Sequence, residues 1–238
     1  IFEYQKINRI AKKYKLSVIE DAAQSFGARD KKYHSGNLSL IGCFSFYPTK
    51  SLGCYGDGGA ISTNNKNIFK KLLSIREHGQ NKSGIFDRLG ITGRLDTIQA
   101  SVLLEKLKRF NIEINLRNKI AKIYNKSFLH INSIKTQIIK NESMSAYTVY
   151  SIKFENKNLR NFIINEFKKQ KIGFGIYYKK PFHLQKVFKD YKIKKGSFPV
   201  AEKLSDTILS IPIDPYLTMV EINKIIYTIK NGIQKFYS

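Results

Sequence analysis

The chain has 238 residues, of which 42% are hydrophobic and 25% charged, and its formal net charge is +24. This length allows one large domain, or a large and a small one, with an ample apolar core. We see no run of about 18 apolar residues and no charged-then-apolar leader, so we expect no membrane association and a cytoplasmic protein.

The excess of basic residues raises the question of a nucleic-acid partner. Lysines are scattered over the chain among many Ile and Asn residues, and no segment combines clustered arginines with aromatics. We therefore expect no nucleic-acid partner, and interpret the charge as a solvated basic surface that favours a small anionic ligand.

The two cysteines, Cys43 and Cys54, do not have CxxC spacing, and no paired histidines or acidic cluster accompany them. Neither a disulfide framework nor a metal site is therefore indicated. We expect both to be reduced packing residues.

The first half of the chain alternates helical and strand-like segments. We predict a helix over 2–14, strands over 16–20, 42–46 and 59–63, and a helix over 66–75. From Asp96 to Phe128 apolar residues recur at helical spacing, and segment 96–99 (DTIQ) resembles a capping box, which predicts one long helix. This alternation favours an α/β sheet with helical crossovers.

The pattern changes to an α+β type from about residue 133. Its predicted strands cover 146–154 and 172–178, and its predicted helices cover 158–170 and the regions near 200–209 and 219–236. We expect a first domain of residues 1–132 and a small second domain of residues 133–238.

The chemistry of the first half centres on Lys50. It follows segment 43–49 (CFSFYPT) and precedes the glycine-rich segment 51–59 (SLGCYGDGG), where a loop can present an amine at the edge of a sheet. Asp21 ends a strand that we expect to be buried, where an unpaired carboxylate would be costly. Alone, Lys50 could be a surface lysine and Asp21 a turn or helix-cap residue. Together they match pyridoxal phosphate enzymes, in which a lysine forms a Schiff base and an aspartate holds the pyridine nitrogen charged.

Four segments resemble the DegT/DnrJ-type sugar aminotransferases, a branch of the fold type I pyridoxal phosphate enzymes. In family-like order and spacing they are 18–25 (VIEDAAQS), 44–46 (FSF), 56–61 (GDGGAI) and 94–100 (RLDTIQA). A weaker similarity continues through 177–185 and 212–217. The resemblance implies an α/β fold in which 1–132 is the C-terminal part of an aspartate-aminotransferase-like large domain and 133–238 is the smaller α+β domain.

The resemblance also implies the residues that bind pyridoxal 5′-phosphate. Lys50 would be the catalytic lysine that carries the cofactor, and Asp21 would form a salt bridge to its pyridinium nitrogen. Gln24 would contact the ring or its 3′ oxygen, and Ser45 would donate to the phosphate. Without the motif, Gln24 would be an exposed loop amide and Ser45 a packing residue.

Three further residues have weaker support from the resemblance. Thr92 stands where the family often has an asparagine that reaches the cofactor phosphate of the partner subunit, and its hydroxyl has a shorter reach. Tyr177 and His183 fall where the family places substrate-facing residues. A histidine in such a loop is as readily a polar surface residue.

The resemblance implies an aminotransferase that moves an amino group, from L-glutamate as donor, to a nucleotide-linked keto-sugar, and that is a homodimer when complete. Because the family draws a phosphate loop and a ring-stacking aromatic from upstream sequence, a chain that begins at Ile1 looks truncated. One alternative is a non-catalytic remnant or interaction protein. A sugar dehydratase of the same fold is less favoured, because histidine typically replaces the lysine there.

Overall fold

The structure is a computed structural model that describes residues 3–31 and 33–238. It contains nine strands and six α-helices within those ranges. In chain order they are α1 (Tyr4–Lys13), β1 (Ile19–Asp21), β2 (Arg29–Asp30), β3 (Tyr33–His34), β4 (Ile41–Ser45), β5 (Gly59–Ser62), α2 (Lys66–Arg76), α3 (Thr97–Phe128), β6 (Ile134–Lys135), β7 (Ser143–Met144), β8 (Tyr150–Phe154), α4 (Lys157–Lys169), α5 (Pro199–Thr207), β9 (Ile208–Ile211) and α6 (Met219–Tyr237).

The chain divides into two compact units. Unit 1 is Ile1–Asn115 with Ile139–Thr148, and unit 2 is Leu116–Ile138 with Val149–Ser238. The expected boundary after residue 132 differs from this division, which falls inside α3. The physical reason is that one continuous helix buries Phe110 in unit 1 and Tyr124 against Tyr150 in unit 2.

The main sheet of unit 1 has the strand order β1-β4-β5. Strand β1 runs parallel to β4, with Ile19 opposite Ile41 and Asp21 opposite Cys43, while β5 is antiparallel to β4. Two parallel strands end at the same edge of a sheet. The last residues of β1 and β4, Asp21 and Ser45, therefore lie at one edge.

One face of this sheet covers the core of unit 1, and the other face is open. Phe44 packs on the core, whereas Ile19 and Ile61 are 63% and 54% exposed. The core itself consists of small, aliphatic and aromatic side chains from the loops and α3: Ala28, Phe46, Leu52, Cys54, Leu103, Phe110, Ile114 and Ala146.

Unit 2 is an antiparallel sheet, β6-β8-β9, with helices that bury apolar stripes. Helix α6 begins with a capping box between Thr218 and Glu221, as its sequence pattern allows. Helices α4 and α6 approach closely at Gly232, where an added Cβ would lie 2.7 Å from Ile163 Cδ1. No helix in the described ranges combines the length and apolarity needed to cross a membrane.

Most predicted elements are present with shifted ends, and two predictions for the second half are wrong. The start of the helix predicted over 2–14 lies outside the described residues. No strand forms over 172–178 within the described chain; Gly175 alone makes a bridge, with Ser210. The strand predicted from 146 begins at Tyr150, because Tyr147 has a φ of 42° and cannot be extended.

Candidate active site

Lys50 lies in the turn that directly follows β4. Its backbone N–H donates to the carbonyl oxygen of Tyr47 at 2.9 Å, which closes the turn over Pro48 and Thr49. The side chain is half-buried, and Nζ has no hydrogen-bond or ion-pair partner within residues 3–31 and 33–238. The turn therefore carries an amine that has no partner among these residues.

Asp21 is exposed at the end of β1, and the expectation of a buried strand ending in a buried carboxylate is wrong. The reason is the strand's position: β1 is an outer strand of the sheet and one of its faces is open, so Ile19 and Asp21 lie on the open face. Asp21 Oδ1 accepts from the backbone N–H of Ala23 at 3.0 Å.

The buried carboxylate of this motif is Glu20, which is 2% exposed. Its Oε1 accepts from Ser35 Oγ at 3.0 Å and from the Gly36 N–H at 2.8 Å, and its Oε2 accepts from the Leu38 N–H at 3.2 Å. These bonds satisfy the buried charge and hold the loop that leads into β4. Glu20 is a loop anchor that the sequence did not reveal.

Ser45 is half-buried at the end of β4 and faces the same side of the sheet as Cys43, two residues earlier. Its Oγ accepts from the Tyr47 N–H at 3.4 Å, a long bond that leaves the hydroxyl proton free to donate elsewhere. Because Asp21 pairs with Cys43, the Cα atoms of Asp21 and Ser45 are roughly 8 Å apart by strand geometry.

Gln24 is exposed in the segment after β1, and its backbone oxygen accepts from Thr148 Oγ1 at 3.0 Å. A second bond connects this segment to the turn of Lys50, because Ser51 Oγ donates to the carbonyl oxygen of Phe26 at 3.3 Å. The structure therefore packs the segment that carries Asp21 and Gln24 against the turn that carries Lys50.

Thr92 lies in a separate part of unit 1. It is exposed, forms an isolated bridge with Glu77, and has its Oγ1 3.5 Å from His78 Nδ1. None of these contacts brings it to Lys50. The role expected for Thr92 thus remains a prediction.

Tyr177 and His183 belong to unit 2. Tyr177 is 54% exposed and packs edge-to-face against Tyr178. His183 has only 7% of its side chain exposed, and its Nε2 lies 2.9 Å from Glu202 Oε1. The histidine ring therefore has a structural partner, whereas Tyr177 presents free surface.

Glu202 is the centre of a small network in this part of unit 2. Its Oε1 and Oε2 lie 2.8 and 3.0 Å from the Gly196 N–H, and Oε1 accepts from the Phe198 N–H at 3.4 Å. Partial burial opposes ionisation of the carboxyl, but the bonds from Gly196, His183 and Phe198 hold its pKa below the ordinary value.

The glycine-rich segment after Lys50 is held by two side chains of α3. Gln99 Oε1 accepts from the Tyr55 N–H at 2.8 Å, and Lys106 Nζ donates to the Gly53 carbonyl oxygen at 2.6 Å. The predicted capping box, in which Gln99 would return to Asp96, is wrong because Gln99 makes this long-range bond. The only sequence signal for the contact of Gln99 with the loop is that Gln99 belongs to the 94–100 motif.

Comparison with known proteins decides the family. The model of the DegT/DnrJ/EryC1/StrS aminotransferase family matches residues 1–230. The chain belongs to this family. Membership agrees with the α/β fold and with the four motif segments around Lys50.

Relatives of the DegT/DnrJ/EryC1/StrS family support the match over almost the whole chain. The UDP-2-acetamido-2-deoxy-3-oxo-D-glucuronate aminotransferase of Pseudomonas aeruginosa is 39% identical over 229 residues, which cover 96% of this chain and 62% of that protein. The structure of a DegT DnrJ EryC1 StrS aminotransferase from Brucella abortus is 40% identical, with a TM-score of 0.89, over 97% of this chain and 61% of that one.

A third match is more distant in sequence and equally similar in fold. The structure of S. venezuelae DesV, solved in complex with a ketimine intermediate, is 26% identical with a TM-score of 0.90, over 99% of this chain and 62% of that one. The chain thus spans about three fifths of the length of the proteins it matches and has part of their fold.

Family aminotransferases depend on pyridoxal phosphate, and the described residues fit this group. Asp21 and Ser45 end neighbouring strands at one sheet edge with an exposed carboxylate and a hydroxyl, and Lys50 lies in the turn that follows, its half-buried amine unpaired among the described residues. An amine can form a Schiff base with an aldehyde, a carboxylate can pair with a protonated ring nitrogen, and a hydroxyl can donate to a phosphate, so the chemistry of these groups suits the cofactor.

Proposed function

We propose that the protein carrying this chain is a pyridoxal phosphate-dependent aminotransferase. Its amino donor would be L-glutamate, and its acceptor a keto-sugar linked to a nucleotide. The observation that carries the proposal is the amine of Lys50, which has no partner in the described part of the chain and follows the parallel strands that end in Asp21 and Ser45, in a chain of an aminotransferase family.

Each of these residues has a distinct task in the proposed reaction. Bound pyridoxal phosphate supplies an electron sink for the carbon that loses its proton. Lys50 Nζ would hold the cofactor covalently and, when free, would act as the general base and acid that moves the proton between the substrate carbon and the cofactor. The Asp21 carboxylate keeps a proton on the ring nitrogen, and Ser45 Oγ donates to the phosphate.

Gln24, Thr92, Tyr177 and His183 complete the proposed site. Gln24 would contact the ring or its 3′ oxygen, and Thr92 the cofactor phosphate across a homodimer interface. Tyr177 and His183, both in unit 2, would face the substrate. The 54% exposure of Tyr177 supports a role in substrate binding. His183 is the weaker candidate, because its ring is already paired with Glu202.

The substrate class is inferred from a relative and from charge. The name of the P. aeruginosa relative states a UDP-linked 3-oxo sugar acid as its substrate. A nucleotide-linked sugar has a diphosphate, and the net charge of +24 would favour its approach. We further propose that the complete enzyme is cytoplasmic, as expected where nucleotide sugars are made.

The test is a product assay on the protein that contains this sequence. It is incubated with L-glutamate and a panel of nucleotide-linked keto-sugars, and the aminated product is detected by mass spectrometry. Lys50→Ala should give no product. Lys122 is an exposed lysine on α3, and Lys122→Ala should give as much product as the wild type. Borohydride reduction and peptide mapping should place the cofactor on Lys50; undiminished product from Lys50→Ala would refute the proposal.

A further inference from the structure

Two side chains of α3 restrain the loop that follows Lys50. Residues 51–58 form no helix or strand, whereas α3 is one continuous helix of 32 residues. Gln99 Oε1 accepts from the backbone N–H of Tyr55, across 44 positions of sequence. A loop without regular structure depends on such bonds for a single conformation.

Lys106 makes the second attachment, two helical turns further along α3. Lys106 is half-buried, and its Nζ donates to the carbonyl oxygen of Gly53 at 2.6 Å and lies 5.8 Å from the centre of the Tyr55 ring. A cation that donates to a carbonyl forms one of the stronger hydrogen bonds available to a loop. Gly53 and Tyr55 are thus both fixed to the same helix.

Gly53 transmits this restraint to the turn of Lys50. A Cβ at Gly53 would lie 2.7 Å from the carbonyl oxygen of Pro48 and 2.8 Å from that of Tyr47. The Tyr47 carbonyl is the acceptor for the Lys50 N–H. The backbone at Gly53 therefore packs directly on the peptide groups that define the turn, and its displacement would release them.

We infer that Gln99 and Lys106 are positioning residues, which fix the Lys50 amine by fastening residues 53–55 to α3. The inference rests on the proposed function, since a fixed amine matters only if Lys50 carries the cofactor. Neither side chain needs to touch cofactor or substrate, because both act through the backbone of the loop. The bond from Cys54 N–H to the Phe46 carbonyl oxygen, at 2.7 Å, completes the attachment on the strand side.

The variants are chosen to separate the effect of the hydrogen-bonding atom from the effect of side-chain size. Gln99→Leu removes the oxygen that binds Tyr55, and Gln99→Glu keeps an acceptor at the same reach. Lys106→Met removes the donor but keeps an unbranched stem. Lys108→Met is the matched control, because Lys108 is an exposed lysine of the same helix that pairs only with Glu105 among the described residues.

The first readout needs no cofactor. In cofactor-free protein, amide hydrogen exchange over residues 51–58 should be about tenfold faster in Gln99→Leu and Lys106→Met, which is the effect of losing one such bond. Competitive acetylation with peptide mapping should show a changed reactivity of Lys50 relative to other lysines. Gln99→Glu and Lys108→Met should match the wild type in both measurements.

The second readout is kinetic and uses the complete enzyme. With the fold intact by circular dichroism, kcat should fall about tenfold in Gln99→Leu and in Lys106→Met, while KM for the sugar stays within about twofold. Gln99→Glu should restore kcat. A purely structural role would lower the amount of active enzyme without a change in Lys50 reactivity.

The outcomes distinguish this inference from the proposed function. Wild-type enzyme with no cofactor on Lys50 overturns the proposed function. Cofactor on Lys50 in the wild type, with exchange, acetylation and kcat unchanged in Gln99→Leu, overturns the positioning role alone. If Gln99→Leu does not fold, Lys106→Met against Lys108→Met decides by the same criteria.

Discussion

Asp21 of β1 lies opposite Cys43 of β4 in a parallel register, so the end of β1 meets β4 two residues before Ser45. This pairing places an exposed carboxylate and a half-buried hydroxyl on one face, at the edge where the chain turns towards Lys50. If the register shifted by one residue, Glu20 would take the position of Asp21 opposite Cys43. The carboxylate of Glu20 already accepts hydrogen bonds from the loop at 35–38. The register thus decides which acidic residue can serve a ligand.

Replacement of Asp21 by Ala should abolish most turnover and leave the fold intact, because the carboxylate is exposed and bonds only the nearby Ala23 N–H among the described residues. Loss of one electrostatic contact to the reacting group raises a barrier by about 2.7–4 kcal/mol, so kcat should fall roughly 10²–10³-fold. Steady-state kinetics and thermal melting check both parts. Near-normal kcat would remove Asp21 from the site.

Replacement of Glu20 by Ala should instead destabilise the fold. The change leaves Ser35 Oγ and the N–H groups of Gly36 and Leu38 without their buried acceptor, at a cost on the order of 3 kcal/mol in unfolding free energy. Urea denaturation measures the loss.

Two further variants sharpen the Glu20 test. Glu20→Gln should lose less than Glu20→Ala, because its oxygen can still accept from Ser35 and Gly36. Glu105→Ala, which breaks an exposed pair with Lys108, should cost under about 1 kcal/mol. Equal stability of Glu20→Ala and wild type would show that the loop does not depend on this carboxylate.

The Glu202 network predicts a pH-dependent loop in unit 2. The pKa of Glu202 in the folded protein lies below its ordinary value of 4.5, so its contribution to stability is present above that pH. The contribution is lost as pH falls below 4.5 through the folded-state pKa, when the carboxyl accepts a proton and releases its donors.

Hydrogen exchange at Gly196 and Phe198 between pH 7 and pH 3, corrected for intrinsic rates, measures this effect. Wild-type protection should exceed that of Glu202→Gln at neutral pH, and the difference should shrink below pH 4.5. Protection that is equal in the two proteins at pH 7 would contradict the prediction.

The open sheet face predicts self-association of residues 1–238 expressed alone. Ile61 is 54% exposed and lines an apolar cavity of about 630 Å³ with Phe69 and Ile91, which are also exposed. Contiguous exposed apolar surface promotes association. Size-exclusion chromatography with light scattering should show oligomers that Ile61→Lys reduces, whereas Ile138→Lys, at an exposed position that does not line this cavity, has no effect. A monodisperse monomer would be the contrary result.

The sequence predicted the local parts of this structure well. The helix over 66–75 is α2 (Lys66–Arg76), and the apolar spacing from Asp96 to Phe128 forms the single helix α3. Such elements follow from the period of their own residues. The strand expected over 172–178 failed because alternating apolar residues form a strand only where a partner is available, and there Gly175 alone has one.

The motifs by themselves determined the family and located Lys50, because the residue types around it and their spacing are properties of the chain. Tertiary structure decided how those residues are used. It buried Glu20 and exposed Asp21. It also paired His183 with Glu202 and formed the hydrogen bond between Gln99 and Tyr55. The burial of Glu20 and the exposure of Asp21 depend on which face of the strand is covered, and the other two outcomes depend on bonds between segments distant in sequence. A local pattern of residues specifies neither the covered face nor a distant bond.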